Sequence, residues 1–546
     1  MVVAFVLAAL AFALGACQGC RHGATGDGVG PAARSPSSEA PATLRLFLLS
    51  DFAGALEPCG CTKDQLGGLA HFGAWARGWA AKDGDKSEEL VAAAGPFFFM
   101  NNRRDEEHAD QDAAKAETIA RVLRDLHLVA FAPGTNDWAD GRDTLAKLAE
   151  NAGAAAIVAS PSGAPFAAHV VRSFVGGALR VGFVGFGQNP DAPVGAPGPE
   201  AAVRAGVERA KGEGANVIIA LAAVGRGEAK RIADSVPDLA VVVVGSAKAE
   251  GDANTEPPPV ERVGDVLIVQ TANHLQDVAV LDLTVRNPAE TSRGGLLRFA
   301  DASGLELASQ RDELTRRIDE LHVRIAAWER DQSVRASDVA ARRHELAELE
   351  ARRDALDVRP APPAGNFFRY SLKEIRESLG TDPSIEEAMR AYYKAVDDHN
   401  RVEFAGRLPP PAAPGQATYI GVDACSSCHV QPRQVWNGTK HAHAYASLSS
   451  QFKEFNLDCV SCHVTGYEQP GGSTVTHVDK LENVQCEVCH GPGSRHAQSP
   501  ADPSLIVANP PLATCLSCHH PPHVEGFDPA AKLTAILGPG HGLPSR

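Results

Sequence analysis

The chain has 546 residues, 44% of them hydrophobic and only 6% aromatic, and a formal net charge of −15. That length suggests two to four domains with ordinary apolar cores, and the acidic balance argues against nucleic acid as a partner. Eight of the 12 cysteines crowd into one stretch near the C-terminus, so whatever chemistry the chain carries is concentrated there.

Residues 2–14, VVAFVLAALAFAL, are an unbroken apolar run. A span needs about 20 such residues, so the run suits the apolar segment of a signal peptide over residues 1–16, although no basic residue precedes it. It ends in Leu14-Gly15-Ala16-Cys17, which resembles a bacterial lipobox. The resemblance implies cleavage before Cys17, lipidation of Cys17, and a lipoprotein held by its anchor in the periplasm or at the outer membrane. An ordinary signal peptide with a nearby cysteine is the other reading. Residues 17–42, rich in Gly, Ala, Pro and Ser, read as a flexible tether. Cys20 has no partner legible in the sequence.

Residues 43–286 alternate buried β-branched runs with helical patterns. LRLFLLSDF opens the series, and GALRVGFVGF, ANVIIALAAV, LAVVVVGS and DVLIVQTA continue it; AETIARVLRDLHL, from Ala116, is a helical pattern between them. Such alternation predicts an α/β sheet fold. The stretch LFLLSDFAGALEPCGC…LGGLAHFGAW resembles the opening of the calcineurin-like metallophosphoesterases, in their 5′-nucleotidase branch. The resemblance implies a four-layer αββα sandwich with two metals held at strand ends. Position by position the implied ligand set is depleted. Asp51 matches the first Asp, but Ala53 stands for a His, Pro96 for an Asp, Thr135 and Asn136 for Asn and His, and Ala223 for a His; GSAKAE, from Gly245, has no His. The expectation is therefore the fold without the hydrolase chemistry. Cys59-Gly60-Cys61 follows the first loop and is open to several readings: metal chelation, a redox couple, a strained disulfide or a loop staple.

From residue 287 to 365 the period changes. Leu307, Leu314, Ile318, Leu321, Ile325 and Trp328 recur every three or four residues, and Val339, Leu346, Leu349 and Leu356 repeat the pattern after a polar break. This predicts a charged helical hairpin, read as an intramolecular spacer, with a homodimerisation arm as the alternative. Residues 366–407 predict a strand, FFRYSL, and a helix, SIEEAMRAYYKAVDDHN. The proline-rich stretch 408–418 reads as a stiff linker.

Residues 419–546 hold CSSCH, CVSCH, CEVCH and CLSCH. Each is Cys-x-x-Cys-His, the attachment signature of c-type haem. Two thiols three positions apart each add to one vinyl group of a porphyrin, and the adjacent His reaches the iron. A zinc knuckle or redox dithiol competes for a single copy, but neither requires His after every second Cys. The motifs predict four covalent haems c on Cys425/Cys428, Cys459/Cys462, Cys486/Cys489 and Cys515/Cys518, with proximal ligands His429, His463, His490 and His519. About 130 residues are too few to build a conventional core around each haem, so the expected region is mainly α and packed by its haems. The segments YIGVDACSSCH…VWNGTKHAHAYASL…CVSCHVTGY…VQCEVCHGPGSRHA resemble the tetrahaem cytochrome c554 family. The resemblance implies His441 and His496 as distal ligands. Residues left open are His443 as competitor of His441, His541 or His523 for another iron, His520, and His477, which is out of register.

Three functions are weighed. The leading one is an exported electron-transfer cytochrome meeting redox partner proteins, with a non-catalytic α/β domain. The second is a haem oxidoreductase acting on a small nitrogen or sulfur compound at an open iron, since the resemblance allows one open haem among four. The third is a metal-dependent phosphoesterase or 5′-nucleotidase with an attached cytochrome, which the depleted ligand positions oppose.

Overall fold

The computed structural model describes residues 42–58, 65–83, 87–161, 163–249, 253–286, 295–330, 334–356, 362–521, 523–524 and 526–543. The expectations for the signal peptide, Cys17, Cys20, Cys59 and Cys61 lie outside the described residues.

In chain order the strands of the α/β part are β1 (Ala42–Ser50), β2 (Ser87–Gly95), β3 (Leu128–Pro133), β4 (Ala155–Ile157), β5 (Phe166–Ala167), β6 (His169–Phe174), β7 (Leu179–Phe186), β8 (Val217–Ala223), β9 (Val241–Gly245), β10 (Glu261–Val263), β11 (Val266–Val269), β12 (Asp277–Val285), β13 (Ala300–Asp301) and β14 (Phe367–Glu374). Among the described residues they form two sheets. One runs β13-β14-β12-β1-β2-β3-β4-β5 and the other β10-β11-β9-β8-β7-β6. The helices are α1 (Leu69–Asp83), α2 (Ala109–Asp125), α3 (Gly141–Ala152), α4 (Pro199–Gly212), α5 (Arg226–Ser235), α6 (Leu305–Trp328), α7 (Ala336–Ala355) and α8 (Pro383–Glu403).

The period of two along each strand decides the layers. In β1, Leu44, Leu46 and Leu48 join a core with Phe183, Ile219, Leu221 and Val243 of the other sheet. Phe47 and Leu49 join a second core with Phe72, Ile119, Leu123 and Leu148 of the helices. The far face of the second sheet buries Ile218, Ala220, Val242 and Val244 against Val203, Val207 and Ile232. Strands buried on both faces read as continuous apolar runs, as these do. The result is helix–sheet–sheet–helix.

The helical pattern from Ala116 stops earlier than its periodicity suggests. Helix α2 ends at Asp125, His127 takes a positive φ of 61°, and Leu128 already begins β3. The segment from 366 enters the α/β unit directly: β14 pairs antiparallel with β12 from Phe367–Thr284 to Glu374–Asp277. The hairpin of α6 and α7 is therefore an excursion between two strands of one sheet. Its seam of Leu314, Ile318, Leu321, Ile325 and Leu349 is buried between its own two arms. Helix α8 starts on Pro383 with Asp382 as N-cap, accepting from Ser384 N and Ile385 N, a favourable start for an exposed helix end. Its Ile385, Met389, Tyr392, Val396 and Asn400 recur at helical spacing and are buried, and α1 and α2 pack against it. No helix among the described residues is long and apolar enough to cross a membrane.

The two sheets come into close contact where β2 and β9 end. A Cβ on Gly245 would stand 2.1 Å from Ala94 O, and one on Gly95 2.0 Å from Asp51 Oδ1. Gly245→Ala is expected to destabilise the protein by about 1–3 kcal/mol or more, the usual cost of overpacking, because the obstructing atom is backbone and cannot rotate away. Denaturant unfolding of the purified variant checks this; unchanged stability would mean the sheets separate there without cost.

Candidate functional site

The C-terminal region has a small apolar core of its own, Leu457, Val460, Val464 and Val475. It is built from short helices on which the motifs sit: α9 (Val422–Cys425), α10 (Val430–Asn437), α11 (Ala444–Ser449), α12 (Leu457–His463) and α13 (Cys486–His490). The fourth motif occupies a 3-10 turn over Leu512–Ser517. One turn of helix explains the motif spacing. His429 N donates to Cys425 O at 3.0 Å, and His519 N to Cys515 O at 2.9 Å. That turn keeps the first Cys, the second Cys three residues on and the His four residues on along one face.

Three of the four motif histidines face another histidine. The ring centres of His429 and His496 are 6.2 Å apart, those of His519 and His441 6.1 Å, and those of His490 and His541 6.2 Å. A metal–imidazole bond is about 2.0–2.1 Å, so two imidazoles on opposite sides of one metal have centres roughly 6 Å apart. The pairs thus have the separation an axially ligated iron requires. His463 faces no other histidine ring among the described residues; its Nδ1 lies 2.7 Å from Ala444 O.

Hydrogen bonds select the tautomer. The Nδ1 atoms of His463, His490 and His541 lie 2.7, 2.7 and 2.8 Å from the carbonyls of Ala444, Val507 and Ile536. A carbonyl only accepts, so Nδ1 carries the proton and Nε2 keeps the lone pair that binds a metal. Burial, then the neighbouring His519 and His463, holds His441 below the usual histidine range, and burial lowers His519 as well. Both effects favour the neutral ligand form.

The other histidines are engaged elsewhere. His443 Nε2 is 3.2 Å from Asn437 O, and His477 Nδ1 is 3.0 Å from Thr476 Oγ1. His520 and His523 stack edge-on with each other at 5.6 Å.

The eight motif thiols form no disulfide with one another, and two cross-motif contacts arise. The thiols of Cys425 and Cys486 are close neighbours, as are those of Cys518 and Cys462, and Cys489 lies within electrostatic reach of Cys515 and Cys518. The motif thiols therefore neighbour one another in the order second motif, fourth, third, first. One thiol differs from the other seven. Cys428 is exposed, whereas the other seven motif cysteines are partly buried. Cys462 and Cys489 lie within α12 and α13, but α9 ends at Cys425, so Cys428 falls in the turn before α10. Its sulfur lies 3.8 Å from Ser427 Oγ, a neighbour in the chain. The sequence spacing makes Cys428 the partner of Cys425, and the structure leaves it facing outward at the end of that order.

Val430, Val507, Leu512, Leu516 and Leu543 are exposed along this region, an apolar surface that a porphyrin would cover. The residues fit haem.

Sequence reasoning missed the residues that hold the first and third motifs together. Glu487, inside CEVCH and 2% exposed, accepts from Ile420 N, Gly421 N and Gly493 N. Gln485 accepts from Val422 N. An acidic residue within an attachment motif is the available signal, but its partners are remote in sequence.

In the α/β part, Asp51 accepts from Ser246 N at 2.7 Å and Ser246 Oγ at 2.9 Å, and burial pushes its carboxyl up to about 6. Asn136 donates to Met100 O and accepts from Ala249 N. Asp137 accepts from Phe97 N, Phe98 N and Gly134 N, yet burial raises it to about 7. Ala53, Pro96 and Ala223 present no donor side chain. Among the described residues no group of three or more His, Cys, Asp or Glu is arranged to hold a metal ion.

Residues 424–491 match the family model described as cytochrome c554 and c-prime. Cytochrome c-554 of Nitrosomonas europaea is 39% identical over 93 residues, covering 14% of this chain and 40% of that protein. The chain thus spans less than half the length of this curated relative. Among solved structures, the 5′-nucleotidase precursor of Thermus thermophilus aligns with a TM-score of 0.41 and 18% identity, over 65% of this chain and 59% of that one. A calcineurin-like phosphoesterase from Bacillus subtilis aligns with a TM-score of 0.35 and 17% identity, over 45% and 86%.

Replacing His496 by Ala is expected to turn one low-spin iron high-spin and to add one carbon monoxide-binding site, and His541→Ala to do the same at a second iron. Optical and EPR spectra of the haem-loaded variants check this; an unaltered spectrum for either would remove that residue from the axial set.

Proposed function

We propose that residues 419–546 carry four covalent haems c and relay electrons, as an exported cytochrome joined to a non-catalytic α/β domain. The observation that carries this reading is the set of three imidazole pairs 6.1–6.2 Å apart, each containing one motif histidine. Bound haem supplies one-electron chemistry at an iron whose axial ligands set its reactivity. The chain's own residues do the rest. The pairs His429/His496, His519/His441 and His490/His541 would close both faces of their irons to substrate. The carbonyls of Ala444, Val507 and Ile536 fix ring orientation. The order of the motif thiols, second to fourth to third to first, keeps neighbouring sites close, as a relay requires. Redox partner proteins are the expected donors and acceptors.

A specific observation favours a second reading for one site. His463 lacks a facing histidine among the described residues, so an iron held there would keep an open position. That supports small-molecule chemistry at the second haem, the oxidoreductase reading with a nitrogen or sulfur compound as substrate.

The phosphoesterase reading receives the least support. Two divalent ions need several anionic or imidazole donors, and the carboxylate of Asp51 is already capped by Ser246. The buried seam of the hairpin supports the spacer reading over a homodimer arm. Mass spectrometry of the exported protein is expected to find four haem additions and carbon monoxide to titrate a single iron; assays with manganese and a nucleotide should give no turnover. A haem-free, zinc-loaded region would overturn the cytochrome reading, and metal-dependent hydrolysis would overturn the non-catalytic one.

Anchoring through a lipid on Cys17, in the periplasm or at the outer membrane, completes the proposal and rests on the LGAC sequence. Several acyl chains at one point give stable attachment. Cys17→Ala should move the protein from the membrane to the soluble fraction; unchanged partitioning would leave a plain signal peptide or an uncleaved anchor.

A further inference from the structure

The second motif, the one without a facing histidine, is also the one seated on the α/β unit. Its helix α12 is pinned at the N-terminus by a buried polar network. Gln111 of α2 accepts from Leu457 N at 3.0 Å and from Asn400 Nδ2 of α8 at 3.2 Å, while Asn400 Nδ2 also donates to Phe455 O at 2.8 Å. Asn456 caps the helix by accepting from Asp458 N. Gln111, Asn400 and Asn456 are each 2% exposed, so this contact is built as an interior.

Charged pairs flank Cys459 on two sides. Lys115 of α2 reaches Asp458 Oδ2 at 3.0 Å and Asp112 Oδ1 at 3.6 Å. Glu57, from the loop after β1, accepts from Tyr393 Oη at 2.7 Å and from Lys453 Nζ at 2.6 Å. Asp458, Lys453, Glu57 and Lys115 all lie within electrostatic reach of the Cys459 sulfur, and His108 and His523 act on Asp458 from further out. The Tyr392 hydroxyl, on a side chain 3% exposed, sits among Lys115, Asp458 and Cys459 with no hydrogen-bond partner among the described residues.

We propose that Lys115 and Asp458 are positioning residues for the second haem: an ion pair, half of it supplied by the α/β unit, that sets the reduction potential of the iron held by His463. The inference rests on haem attachment at Cys459 and Cys462. A cation beside a redox centre favours its reduced form and a carboxylate its oxidised form; the Lys115 and Asp458 side chains are 21% and 41% exposed, so solvent screens part of each field without changing its sign. Paired, the two charges offset one another. Removing one exposes the other, so the two deletions act in opposite senses although they break the same contact. A purely structural pair would not do this.

The test uses the full haem-loaded protein in a spectroelectrochemical titration, following the carbon monoxide-binding iron. Lys115→Met is expected to lower its midpoint potential and Asp458→Asn to raise it. Lys115→Arg should keep the wild-type value, the double variant Lys115→Met/Asp458→Asn should return towards it, and the three histidine-paired irons should shift less. Midpoints that stay put, or that move the same way in both single variants, overturn the inference. Absence of haem on the second motif in the wild-type protein would instead overturn the reading it rests on, and haem counting by mass spectrometry separates the two failures.

Discussion

The separation of facing imidazoles is the constraint on which the C-terminal region depends. Three pairs of rings from residues far apart in the chain meet at 6.1–6.2 Å, and the rest of the region is arranged around them. Its apolar core is a handful of side chains around Val460 and Val475. The backbone is organised by polar clamps, with Glu487 gathering three N–H groups from both sides of the first and third motifs. A buried carboxylate so engaged fixes the relative position of two helical turns better than apolar contacts would, because each of its bonds has a direction.

The α/β part follows a different logic. Its folding information lies in strands buried on both faces, whose packing requires no metal-binding side chain. The glycines at 95 and 245 are part of that packing. They let the sheet ends approach until no Cβ fits, and Asp51 fills the space left by Gly95. The Asp51 carboxylate is thereby engaged by the fold, held by Ser246 across the junction of the sheets.

Much of this is legible without coordinates. Runs such as ANVIIALAAV and LAVVVVGS are strands β8 and β9; they are short, and their β-branched residues favour strand over helix. The motif cysteines and their histidines declare themselves by spacing, though spacing alone does not tell Cys428 on its exposed turn from its seven sheltered counterparts. The opposing histidines are a different matter. His541 and His490 meet because the chain folds back at its end, and nothing local to either residue encodes that. SEELVAAAG carries little strand signal, since its first half is polar; it forms β2 because β1 offers a parallel edge. The engagement of α8 with α12 is illegible for the same reason. Gln111, Asn400 and Asn456 are ordinary polar residues until tertiary structure buries them together.

The central strand β1 carries one more implication. It lies between β2 and β12, and Thr43 is paired with Thr284; beyond β12 the sheet is extended by β14, which arrives only after the whole hairpin has passed. Such non-local closures are slow because loop entropy must be overcome before contacts form. In chain order β14 and α8 precede all four Cys-x-x-Cys-His motifs. The helix bearing Cys459 is held on them by Gln111 and Asn400. The α/β unit offers in this sense an internal template for the backbone of the second motif, built from polar groups that need no cofactor.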